Sequence, residues 1–486
     1  MTTHLVNNNN DDTTADATNA FTLGGNDNII VTSSGSLLAT GANSSGLYMD
    51  GATNEATIEG AVYGTNDGIL AASALASVNV DSLVSGENNG IELSGNDSAD
   101  YVAIAGNGVV QGNFDGILAD SANVIVTVNG QVSGDINAGI QVSSGNASID
   151  VAAGASVSGY GDGIGITSLV QDANILVNGN IFSAGGDAIG SFAANTAITI
   201  GRDGSVSDAN GFGIALFEGG TVANDGTISG AAGGYAIDSG ATCAIINGGT
   251  ILGSVFAASD LTINNTGVID GAVTVSSAAT IENAGTIAGG FSDTAADQVT
   301  IDNLGSVLGP VGGVTIDLTN SGVIHGAIAT TGESDLDNSG KITGAIDLGG
   351  SGGELTNGDA IHGAVTLGSD YTMTNTGTIH GAVILGAGDT IDTSRGEITG
   401  KVTAADKDTF DFSGSFGHNT IVGFVGTTTQ HDIIDFASDD FATYTAVQAH
   451  MAQVGANVVI TLDAADTIIL QHITLAHLTA SDFTFG

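Results

Sequence analysis

Basic side chains are nearly missing from this chain. Arg202, Lys341, Arg395, Lys401 and Lys407 are the only ones in 486 residues, against 52 Asp and Glu, and the formal net charge is −47. A surface of that sign releases no counterions from a phosphate backbone and repels anionic lipid headgroups, so nucleic-acid and membrane-surface partners are excluded. Tryptophan is absent and aromatics make up only 5%, so a broad core built on large rings is not available. Cysteine occurs once, as Cys243 beside the apolar Ala244-Ile245-Ile246; it can form no disulfide within the chain and reads as a small buried hydrophobe. No apolar run approaches the roughly 18 residues of a membrane-spanning helix. The first residues, MTTHLVNNNNDDTTADATNAF, lack the basic and then apolar regions of a secretory leader, so any export is expected to use another address.

What is present is glycine, at 76 residues, and enough Ala, Val, Ile and Leu to bring the hydrophobic share to 42%. That is sufficient to fill a thin core and too apolar for wholesale disorder. The uncompensated acid is expected to recruit cations, with Ca²⁺ the natural oxygen-seeking partner outside cells.

Repeats organise most of the chain. From about residue 220 a pattern Asn-x-Gly-x-[Ile/Val]-x-Gly-[small]-[Val/Ile] recurs, as in NTGVIDGAV from Asn265 and NTGTIHGAV from Asn375. Its asparagines fall at Asn265, Asn283, Asn303, Asn320, Asn338, Asn357 and Asn375, in steps of 17 to 20 residues. The first half carries a wider version. Gly followed by an apolar pair recurs at Gly46, Gly68, Gly90, Gly116, Gly139, Gly163 and Gly213, with Ala188 midway in the last interval. A second marker, [Val/Ile]-x-Gly, keeps step at Val84, Val110, Val132, Val157 and Ile228.

A fixed period in this range means a solenoid, whose units bury their apolar faces only by stacking. Each unit holds short alternating stretches such as Ala272-Val273-Thr274-Val275, separated by Gly and Asn, which are strands and turns. The expected fold is therefore all-β: a single-stranded parallel β-helix, right-handed by default. Inside it, Val, Ile, Leu and Ala alternate inward, and the aligned asparagines stack as a ladder of side-chain amides. The expected organisation is a flexible arm over 1–20, coils of about 22–26 residues over 21–250, coils of about 18–20 residues over 251–400, and a separate C-terminal region over 401–486.

That last region reads DKDTFDFSGSFGHNTIVGF, then HDIIDFASDDF, and ends in SDFTFG. Gly417 to Gly423, the run Asp432-Ile433-Ile434-Asp435-Phe436 and the closing Ser481 to Phe485 resemble the C-terminal region of RTX-like proteins exported by type I secretion. The resemblance covers about 85 residues and implies one-step export from a Gram-negative cell by an uncleaved C-terminal signal, as in surface proteins that carry β-solenoid bodies of the adhesin or surface-layer kind. The family's calcium-binding nonapeptide is present only in partial copies, Gly24 to Ile29 and Gly386 to Ile391, and the copy at Gly417 has lost its Asp. By that resemblance Asp27, Asp389 and Asp392 are the candidate calcium ligands. Within the region, Tyr444 to Val454 is expected to form a short helix and Asn457 to Leu462 a strand.

No constellation in the sequence assigns an active site. A carbohydrate-active β-helix, lyase or epimerase, needs Arg or Lys to neutralise a polyuronate, and residues 1–340 offer only Arg202. His325, His362 and His380 share an Ile-His-Gly position, and the last two lie one coil apart, close enough to set two imidazoles side by side. Thr343 and Thr399 hold the same position elsewhere, which reads as a variable, solvent-facing turn. Thr recurs without the regular Thr-x-Thr rows of an ice-binding face. Solenoid ends, by contrast, expose unpaired strand edges, and a head-to-tail contact between copies does not close, so it grows filaments or lattices. The sequence thus points to a secreted, non-enzymatic structural protein of the cell surface, assembled as a surface layer, filament or biofilm matrix. Its expected partners are other copies of itself, the type I secretion machinery and cell-surface polysaccharide. The alternatives are a monomeric adhesin or a carbohydrate-active enzyme.

Overall fold

Period-two alternation of aliphatic and polar residues runs through most segments, and each such segment is a strand with one face inward. Ala76–Val80 and Asn123–Val128 bury every second side chain. The computed structural model describes residues 1–7, 12–14, 18–95, 99–393, 395–426 and 429–486. The fold is an all-β parallel β-solenoid of about 19 turns. It divides into two compact units: Met1–Thr262 with Gly267–Gly271, and Ile263–Thr266 with Ala272–Gly486.

In the first unit each turn contributes three strands, such as Asn54–Ile58, Ala61–Gly64 and Ile69–Ala71. Each pairs in parallel with its equivalent in the next turn, Ala76–Val80, Leu83–Gly86 and Ile91–Leu93. The two markers read from the sequence interlock. Val62, Val84, Val110, Val132 and Val157 form one buried column. A Cβ placed on Gly68, Gly90, Gly116 or Gly139 would lie 2.6–2.7 Å from a Cγ1 of Val84, Val110, Val132 or Val157 respectively. The glycine is therefore the hole into which the valine packs, which is why the two keep step.

In the second unit the middle strand shrinks to two residues, as in Thr286–Ile287, Val323–Ile324 and Lys341–Ile342. Ile287, Val307, Ile324, Ile342, Ile361, Ile379 and Ile398 make a single inward column. The corner that follows is also tight. A Cβ on Gly326, Gly344, Gly363 or Gly381 would stand 2.0–2.1 Å from the carbonyl oxygen of the equivalent glycine one turn earlier. Only glycine lets the coils approach so closely there.

Two expected details differ. Within the arm expected over 1–20, Thr3–Val6 pairs with Asn28–Val31 and Asp12–Thr14 with Ser36–Ala39, so the first coil starts before residue 21. Val6 is buried, and that burial ties the segment to the coil. Residues 8–11 and 15–17 of the arm lie outside the described residues. The helix expected from Tyr444 to Val454 stops at Ala449. Met451–Val454 instead pairs antiparallel with Asn457–Thr461, because Gly455 (φ +62) starts a two-residue hairpin turn that needs positive φ at its first position.

Stacking also continues past residue 401. Thr390–Asp392 pairs with Thr409–Phe412, that strand with Ile433–Phe436, and that in turn with Phe483–Phe485. The inward position there passes to aromatics, with Phe412, Phe416, Phe436 and Phe441 packed at ring-centre distances of 4.8–6.3 Å.

Candidate functional site

The seven asparagines of the repeat meet as a ladder in the second unit. Asn265 Nδ2 donates to Asn283 Oδ1 at 2.8 Å, and the same bond repeats at 2.7–2.8 Å through Asn303, Asn320, Asn338 and Asn357 to Asn375. All seven side chains are buried. The turn that follows explains the rest of the consensus: Ala284 and Gly285 N–H both donate to the Asn265 carbonyl, and Leu304 and Gly305 N–H to that of Asn283. From Asn265 to Asn357 each asparagine thus fixes register with its side chain and closes a corner with its backbone.

One further rung lies in the first unit, where Asn224 donates to Asn247 at 2.8 Å. Both begin copies of the consensus, Asn224-Asp-Gly-Thr-Ile-Ser-Gly and Asn247-Gly-Gly-Thr-Ile-Leu-Gly, so the signal was in the sequence. Upstream the equivalent position is aliphatic: Ile58, Val80, Ile104, Val128, Val151, Val177 and Ile200 align with Asn224.

A second set of ladders, made of carboxylates, was not foreseen. In the first unit Asp67 Oδ1 accepts the Asn89 N–H (3.2 Å), Asp162 Oδ1 that of Asp187 (3.0 Å), and Asp187 Oδ1 that of Phe212 (3.0 Å). Burial pushes the carboxyls of Asp67 and Asp187 up to about 6. In the second unit Asp389, Asp408 and Asp432 are buried, and each uses both oxygens. One accepts the equivalent N–H of the preceding turn, from Tyr371, Asp389 and Asp408 (2.8–3.0 Å). The other accepts an N–H of its own turn, from Gly386, Ala405 and Val425 (2.7–2.8 Å). Burial again dominates and pushes all three up to about 6. The signal was Asp at one offset before each turn, hidden among 52 acidic residues.

These placements bear on the calcium candidates. Asp389 is one of the buried carboxylates whose two oxygens already hold backbone N–H groups. Asp392 is half-buried in a column with Asp411 and Asp435, and burial and then the flanking carboxylates raise the carboxyl of Asp411. Asp27, in the first unit, accepts the Thr2 N–H and lies 3.7 Å from His4 Nε2; the Thr2 bond is the main cause holding its carboxyl below the usual range. Among the described residues, no three His, Cys, Asp or Glu side chains are grouped to hold a metal ion. A groove of about 620 Å³ in the first unit is lined by residues that include Asp172, Asn195, Glu218, Thr221 and Thr242, with no basic side chain. Among the described residues no helix is long and apolar enough to cross a membrane. No protein-family model matches the chain, and no curated protein matches it in sequence.

Proposed function

We propose that this is a secreted structural protein of the bacterial surface that assembles with copies of itself through its strand edges. The observation that carries the reading is the one-sided pairing of Phe21–Gly25, which among the described residues pairs only with Leu47–Gly51. Phe483–Phe485 likewise pairs only with Ile433–Phe436. Open parallel edges are templates for another chain, and joining an edge at one end of the sequence to an edge at the other is a heterologous, non-closing contact. The acidic surface supports the same reading, since calcium bridging carboxylates of neighbouring copies offsets their repulsion. Export by the C-terminal region through a type I transporter belongs to the proposal, and a reporter fused to residues 401–486 is expected in the medium of a Gram-negative host only when that transporter is present.

The test of assembly is electron microscopy of the purified chain with and without Ca²⁺. Ordered sheets or fibres are expected. Phe21 N–H donates inward to Gly46, so by strand alternation the Thr22 and Gly24 N–H groups point to the open edge. A double Thr22→Pro, Gly24→Pro variant removes only those outward donors and is expected to leave single particles with unchanged circular dichroism. Single particles of the unaltered protein under all conditions would reject self-assembly in favour of a monomeric adhesin.

A further inference from the structure

In the second unit the structure brings together two imidazoles that the fold does not use. His362 and His380 sit on successive turns, just beyond the paired residues Ile361 and Ile379, with ring centres 4.7 Å apart and planes inclined by 29°. Both are exposed, and among the described residues neither ring takes part in a hydrogen bond or ion pair. Four other histidines are engaged: His4 faces Asp27, His431 meets the Ser481 carbonyl, His450 the Ala446 carbonyl, and His477 the Thr474 hydroxyl. The backbone on either side is held firmly. His362 and His380 N–H donate to Ile342 and Ile361, and Gly363 and Gly381 close the stacked corner where a Cβ would strike the preceding turn at 2.0–2.1 Å.

We propose that His362 and His380 form a two-histidine binding site for a borderline divalent cation of the zinc, nickel or copper class. Imidazole nitrogen is the ligand these ions prefer over the carboxylate oxygens elsewhere on the surface. Zn–N bonds are about 2.0–2.1 Å, so two ligand nitrogens can be at most about 4 Å apart. Rings 4.7 Å apart on exposed side chains meet that limit by tilting toward each other. The firm backbone limits the conformational freedom lost on binding. A net charge of −47 raises the local concentration of any cation. Two protein ligands leave the remaining tetrahedral positions to water. His325 is separated from the pair by the turn carrying Thr343 and is left out of the site.

The experiment is calorimetric titration of the full chain with Zn²⁺, together with His362→Gln, His380→Gln, the double substitution and His325→Gln. The unaltered protein and His325→Gln are expected to bind one equivalent alike, and either single substitution to weaken that binding by about tenfold or more through loss of one of two metal–nitrogen bonds. With Cu²⁺ in place of Zn²⁺, electron paramagnetic resonance is expected to show coupling to two nitrogens, reduced to one in either single variant. Zinc bound equally by the double variant would overturn the proposal, and so would no binding by the unaltered protein. Because all three positions are exposed turn residues, unchanged circular dichroism verifies that each variant is folded.

Discussion

A buried amide that both gives and takes a hydrogen bond depends on its neighbours, so the ladder is most vulnerable at its middle. Asn320 accepts from Asn303 at 2.7 Å and donates to Asn338 at 2.8 Å. Asn320→Ala leaves a donor on one side and an acceptor on the other unsatisfied, and at about 1–3 kcal/mol per orphaned group the expected loss, read by denaturant unfolding, is about 3 kcal/mol. Thr393, one turn beyond Asn375, is buried with a hydroxyl that has no partner among the described residues. Thr393→Val is therefore expected to stabilise by up to about 1 kcal/mol, since an unmade buried hydrogen bond costs more than its removal. The carboxylates predict a pH dependence. Asp67, Asp187, Asp389, Asp408 and Asp432 have carboxyls pushed by burial from 3.8 up to about 6, so the folded state holds these protons more tightly than the unfolded chain. Their stabilisation is full below about pH 4 and is lost as pH rises through about 6. Scanning calorimetry should find a higher melting temperature at pH 5 than at pH 8, with a shallower dependence in Asp408→Asn. A melting temperature that falls on acidification over that range would contradict the assignment.

At the scale of the element, the unit of construction is the corner. Gly363 meets the carbonyl of Gly344 at 2.0 Å from the site of a Cβ, so Gly363→Ala must push two turns apart and is expected to cost about 1–3 kcal/mol, the usual price of overpacking, whereas Thr343→Ala, at a half-buried turn position, removes only the hydroxyl's bond to the His325 carbonyl and should cost about 1 kcal/mol or less. This is also why the coils were legible. The glycine and valine markers are two halves of one contact, Gly68 against Val84 and Gly116 against Val132, and a contact repeated every turn writes a period into the sequence. The asparagine ladder was legible for the same reason. The carboxylate ladders were not, because Asp67 or Asp408 looks like any surface acid until the backbone N–H it accepts is in place. The expected helix past Ala449 failed on Gly455, where a single turn residue outweighed the apolar pattern around it. Of the calcium candidates, Asp389 was singled out by the partial nonapeptide from Gly386, a pattern that carries no sign that both its oxygens accept backbone N–H groups.

For the whole molecule, charge is the dominant quantity. Fifty-two acidic residues against five basic ones leave most carboxylates with no basic side chain to pair with, so repulsion among them is met by solvent and ions rather than by the chain's own cations. Simple screening with a Debye length of about 10 Å at 0.1 M salt would weaken that repulsion whatever the cation. Columns of aligned acids such as Asp392, Asp411 and Asp435, about 4.8 Å apart by strand spacing, instead favour a divalent ion, which interacts with two carboxylates at once. The two accounts separate in one measurement: thermal unfolding in CaCl₂ and in NaCl at matched ionic strength. The expectation is a higher melting temperature in calcium, reduced by Asp411→Asn, which removes the middle charge of the column. Equal melting temperatures in the two salts would assign the whole effect to screening and leave calcium no structural part in the fold.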